Sequence, residues 1–280
     1  MKHQLSGFIC VALLLGGCGG SDSKSKPRSS SAMAMSSMSV ASSQMMMSSS
    51  PMMSSSAMHS SHMASSSMAA MAEIKYSILV TNLTAGQPFS PLAYSVHYPG
   101  FSPFVVGTPA SPGLEKIAES GATDDFLADA KANAHVLLAD HAAGLTLPGQ
   151  TTTLNVSVML DAAKMNELQF SFVNMLGNTN DGFSGIDSLA IGALGVGESL
   201  IVNAMSYDAG TEMNSESQAT VPGPAGGGEG FNAMRDDMVD QVTMHPGVVT
   251  HDDGKVDSTL TQIHRWDNPV AKIVITRVAP

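Results

Sequence analysis

Cysteine is nearly missing from these 280 residues, and the two present, Cys10 and Cys18, fall in the first eighteen positions. Residues 19–280 can therefore build no disulfide framework, thiolate metal site or cysteine redox chemistry. A folded domain without such staples needs a large apolar core, a bound metal ion, or both. Positive charge is scarce too. Residues 73–280 carry 9 Lys and Arg against 23 Asp and Glu, a surplus of 14 negatives. Such a surface repels phosphate backbones, so no nucleic-acid partner is expected, and it suits divalent cations. After the first residues no apolar run is long enough to cross a bilayer as a helix.

Catalytic signatures are missing as well. His97, His135, His141, His245, His251 and His264 are scattered, with no H-E-x-x-H and no close pair at helical spacing. "HDDGKVD" (His251 to Asp257) lacks the alternating register of a calcium-loop motif and reads as a turn on Asp253-Gly254. "GFSGI" around Ser184 is one residue short of a G-x-S-x-G nucleophile elbow. No set of nucleophile, base and orienting group survives, so the chain is not expected to be an enzyme.

Residues 1–17 have the form of an export signal. Lys2 and His3 give a basic start, and Phe8 to Leu15 form an apolar core too short to span a bilayer. "LGGC" (Leu15 to Cys18) places small residues before a cysteine, the pattern of a bacterial lipoprotein signal. Cys18 is then the expected lipidated N-terminus and a lipid-anchored membrane attachment follows. Gly19 after it favours the outer membrane, on the periplasmic or cell-surface face. Residues 29–72 hold 19 Ser, 12 Met, 8 Ala and no charged residue. This composition packs no core, so 18–72 is expected to be a disordered tether of roughly 40 Å root-mean-square reach. Thioethers also bind Cu(I), which leaves a copper-handling lipoprotein as the alternative use of that tether.

From Glu73 the pattern changes to that of a folded domain over 73–280. "IKYSILV" places Ile74, Tyr76, Ile78 and Val80 on one face, and "LNVSVML" does so with Leu154, Val156, Val158 and Leu160. "LQFSF", "SLIVNAM" and "VAKIVITRV" are further strand candidates. Between the first two lies a helical region, where Ser111-Pro112 and Thr123-Asp124-Asp125 supply caps. Leu114, Ile117, Phe126, Leu127 and Ala130 supply its apolar faces. The expected fold is a mainly β, antiparallel sandwich with a helical insertion.

Two acidic stretches remain. "SYDAGTEMN" (Ser206 to Asn214) sets Asp208 and Glu212 four residues apart around small residues. "NTNDGFSGIDSLAIG" (Asn178 to Gly192) reads as a Gly-rich loop carrying Asp181 and Asp187. Calcium takes mixed carboxylate and carbonyl oxygens, which loops of this kind offer. Acidic residues in Gly/Asn loops are equally ordinary turn formers, so spacing alone leaves both readings open.

"NDGFSGIDSL", followed 27 residues after Asp181 by "YDAGTE", resembles the spondin N-terminal domain family of the F-spondin and mindin type. "GQPFSPLAYSVH" (Gly86 to His97), "FSPFVVGTPASPGLEKIAESG" (Phe101 to Gly121) and "NPVAKIVITRV" (Asn268 to Val278) extend it in order. The resemblance implies a C2-like sandwich with calcium held by loops at one end. Its ligands would sit at the acid of the family's "PDWF" loop and both acids of its "YDAGTD" loop, matched here by Asp181, Asp208 and Glu212. It also implies a non-catalytic binding or adhesion module with an unidentified extracellular or envelope ligand. Gly182 stands where the family usually has Trp, Glu212 replaces an Asp, and the animal members' disulfide cysteines are absent. Asp187 matches a family position without being assigned as a ligand.

Overall fold

The computed structural model describes residues 70–280. The signal at 1–17, Cys18 and the tether up to position 69 lie outside the described residues. The alternation at Ile74 belongs to β1 (Met71–Asn82), which begins two residues before the expected boundary because Met71 and Ala72 already pair with Asp161 and Leu160. Those partners end β4 (Thr151–Asp161), and β9 (Ala271–Val278) runs antiparallel along the other side of β1. In all three strands every second side chain is buried and its neighbours are wetter, as expected for a sheet with one face on the core.

The second layer is built from β2 (Ala93–His97), β3 (Val136–His141), β5 (Gln169–Met175), β6 (Gly182–Ala190) and the two-residue β8 (Thr243–Met244). With β7 (Ser199–Asp208) the strands form one antiparallel path β3-β2-β5-β6-β7-β9-β1-β4, and β8 lies beside β7. β7 serves both layers. Its first half, Ser199 to Ala204, pairs with β9, and its second half, Met205 to Asp208, pairs with β6. A strand that changes sheet in this way makes a corner of the sandwich. It also carries the chain from the apolar interior to the loops at one end.

Between the layers Tyr76, Ile78, Leu160, Phe170, Phe172 and Ile275 form part of a continuous core. Each fully buried side chain of this size contributes about 1.5–3 kcal/mol of transfer free energy. The opposite face of the second sheet is covered by α1 (Pro112–Ser120) and α2 (Asp124–Ala132). Leu114, Ile117, Phe126, Leu127 and Ala130 pack there against Val173 and Phe183. Ser111 caps α1 by accepting from the Leu114 amide at 3.2 Å, with Pro112 in the first turn. Thr123 stands at the N-cap of α2 but makes no side-chain cap bond.

The stretch read as a Gly-rich loop is a strand over most of its length. Residues 182–190 are β6, paired with β5 and β7. The glycine at 185 answers to packing, since a Cβ there would lie 2.8 Å from the Phe172 carbonyl oxygen and 2.9 Å from Phe104. Asp187 is exposed on β6, where Ser188 takes a positive φ of 55° and donates its hydroxyl to the Asp187 carboxylate at 2.7 Å. Among the described residues no helix is long and apolar enough to cross a membrane.

Candidate functional site

The turn from β5 to β6 is closed by Thr179. Its hydroxyl donates to the Leu176 carbonyl at 2.6 Å and accepts from the Gly182 amide at 2.9 Å. This places Asp181 just ahead of β6, wholly buried at 0% exposure. Its Oδ2 accepts from the Thr211 amide at 2.7 Å, the Glu212 amide at 3.1 Å and the Thr211 hydroxyl at 3.3 Å. Its Oδ1 has no partner. The Asp181 carbonyl accepts from the Ala209 amide at 3.2 Å, so one residue fastens the whole 209–212 loop.

Asp208 ends β7 directly across from Gly182 in the ladder. It is 5% exposed, and its oxygens accept from the Gly210 amide at 2.8 Å and the Asn214 side-chain amide at 2.6 Å. Gly210 has φ +70°, and a Cβ there would meet the Gln241 backbone at 2.5–2.6 Å, so no other residue fits this turn. Glu212, 8% exposed, lines a cavity of about 100 Å³ together with Asn180, Glu229, Asn232 and Asp236.

The electrostatics show what this end of the sandwich lacks. Burial, followed by the charge of Asp208, holds the Asp181 carboxyl well above the usual carboxylate range. Burial pushes Glu212 up to about 8, reinforced by Glu119, Asp181, Asp236 and Glu229. The four charges that raise it are all negative. Desolvation of an unpaired carboxylate is costly and is relieved by a proton or by a cation.

His245 also lies at this end, unannounced by any motif. It is buried, its Nδ1 accepts from the Gly247 amide at 3.0 Å, and its Nε2 has no partner. Burial depresses its pKa below the ordinary imidazole value, partly opposed by Asp208. The ring stands edge-on to Trp266 with centroids 5.0 Å apart. A Cβ on Gly182 would lie 3.0 Å from His245 Cδ2 and 2.6 Å from Thr179 Oγ1. There is thus no room at Gly182 for the aromatic expected from the resemblance, and His245 and Trp266 supply ring volume from elsewhere in the chain.

Asp181 and Asp208 are therefore neighbours, and the Glu212 backbone is bonded to Asp181. The three carboxylates do not close on one point. Among the described residues no group of three or more Asp, Glu, His or Cys side chains is gathered tightly enough to hold a metal ion. Asp253 belongs elsewhere, bonded to Thr250, Gln262 and Arg265.

Residues 81–222 match the family model described as Spondin_N. The chain belongs to the spondin N-terminal domain family. The matched span is just over half of the 280 residues and contains Asp181, Asp208, Glu212 and both helices. It ends before β8 and β9, although β9 completes the first sheet beside β1. No curated protein matches the chain. At the coarse level a spondin domain is a non-enzymatic binding module.

Proposed function

We propose that this protein is a cell-envelope lipoprotein that presents a calcium-braced spondin domain as a binding or adhesion module, without catalytic activity. Asp181, Asp208 and Glu212 would hold the ion. The observation that carries this is the buried Oδ1 of Asp181, a carboxylate oxygen without a donor beside a second buried carboxylate. The three carboxylates stand apart in the structure, but the donor types at this end, carboxylate, carbonyl and hydroxyl oxygens, are those calcium takes in irregular sets more readily than magnesium. The bound ion would offset the negative charges that raise Glu212, and so fix the 209–214 loop as part of a presented surface. Cys18 would anchor the protein to the outer membrane, and the Met/Ser segment would set its distance from it.

Calcium titration of the purified protein by calorimetry, with metal analysis of the chelated and reloaded forms, tests the site. One saturable calcium event that magnesium does not reproduce is expected; no uptake contradicts it. Cys18→Ser should move the protein from the membrane to the soluble fraction, and unchanged fractionation would rule out the anchor.

A further inference from the structure

The strand path ends in two edges, β3 and β4, and the chain treats them differently. The β3 edge is blunted. It has 6 residues, its pairing with β2 slips at Val96/His97, and it ends in Asp140 and His141, both exposed. Shortness, irregular pairing and charge are devices by which an edge avoids adding another strand. β4 carries none of them. It is 11 residues long, roughly 35 Å, and pairs with β1 in unbroken register from Thr151 to Asp161. Thr151 to Leu160 hold no charge, proline or glycine, in a domain that is otherwise strongly acidic. Among the described residues no strand pairs with its other side.

This edge is complementary to itself. Antiparallel pairing of two β4 strands about a two-fold axis through Val156 uses the whole strand and keeps facing residues on one side of the sheet. On the core side Leu154 of one copy then faces Val158 of the other, and Thr152 faces Leu160. On the outer side Asn155 faces Ser157 and Thr153 faces Met159, all four of them exposed. The one charged residue, Asp161, faces Thr151. Apolar residues meet apolar or threonine neighbours, polar residues meet the outer face, and no like charges are opposed. An acidic chain repels its own copy over most of its surface, but not along this line.

We infer that β4 is a self-association edge, at which two copies of this chain pair antiparallel and join their β7-β9-β1-β4 layers into one continuous sheet. The inference goes beyond the calcium reading and does not depend on it, since none of the candidate ligands lies on β4. Because the paired strands run in opposite directions, the loop ends of the two copies point away from each other. A dimer of this form is suited to bridging two surfaces.

The test is sedimentation of the purified full-length chain in chelator, from about 1 μM to about 200 μM, where a single-strand interface should associate. The wild-type mass should rise toward twice that of the monomer. Thr153→Lys combined with Met159→Lys sets lysines directly opposite one another at two places in the pair and should hold the mass at the monomer's throughout. Thr153→Glu combined with Met159→Lys makes the same two pairs opposite in charge and should restore the dimer. Both positions are exposed, so the fold of each copy should be kept. A wild type that stays monomeric overturns the inference. So does a double-lysine variant that dimerises as wild type does, or a charge-paired variant that stays monomeric. If the double-lysine variant does not fold, amide exchange of wild type decides: amides of 151–161 that exchange no more slowly at high concentration than at low overturn it.

Discussion

The interior between the sheets and the loop end of the sandwich are both dry, but they are dry for different reasons. Between the sheets the buried groups are Tyr76, Ile78, Phe170, Phe172 and their neighbours, whose removal from water is itself favourable. At the loop end they are Asn180, Asp181, Asp208, Thr211, Glu212 and His245, whose removal from water is unfavourable unless each is paired. Most are paired. Asp181 Oδ1 and His245 Nε2 are not. The core should therefore be indifferent to solution conditions, whereas the loop end should depend on what the solution supplies.

The largest effect should come from the core. Phe172→Ala removes a ring buried between β5 and the facing sheet and should cost about 3–5 kcal/mol, equally in calcium and in chelator. A loss that differed between the two conditions would blur the division, and paired denaturation curves decide it. Asp181→Asn should act the other way. It should abolish the calcium increment while leaving the chelator melt no lower, because an uncompensated buried charge has been removed. For a dissociation constant on the order of 10 μM and about 1 mM free calcium, that increment is about 2.7 kcal/mol.

A smaller effect concerns His97, buried in β2. Its Nδ1 donates to the Tyr98 carbonyl at 2.9 Å and its Nε2 accepts from Ser171 at 2.8 Å, an arrangement of the neutral ring. Burial lowers its pKa. The folded state thus resists protonation, and the stability this contributes is present above the unfolded value of about 6.5 and lost as pH falls below it. Melting temperatures between pH 7.5 and 5 should fall less steeply for His97→Gln than for wild type. Identical slopes would show that His97 contributes nothing to the fall. Asp253→Asn should do least. Its pKa is lowered to about 2, first by the Thr250 hydroxyl and amide and then by Gln262, so its contribution is present above pH 4 and lost only toward pH 2. A shift of about 2 °C at most and an unchanged calcium response are expected.

The same division decides how much could be read from the residues. β1, β4 and β9 have one wet face, so their alternation is visible in "IKYSILV", "LNVSVML" and "VAKIVITRV". β2 is buried at all five positions, between the other sheet and the helices, and "AYSVH" carries no period to detect. β6 was hidden by glycines that serve close packing, Gly185 against Phe172 and Phe104 and Gly182 against Thr179 and His245. At the site, Asp208 and Glu212 are local in sequence, and Asp181 became legible through the family resemblance. His245 was not legible, because its place at this end is set by neighbours 21 to 37 residues away, Trp266 and Asp208.

The most direct measurement is thermal melting of wild type and Asp208→Asn, each in chelator and in 1 mM calcium. Wild type should melt about 5–11 °C higher with calcium than without, and Asp208→Asn should show little of that difference. A wild-type melt that ignores calcium, or an Asp208→Asn response as large as wild type's, would contradict the claim that buried carboxylates at the loop end are completed by the ion.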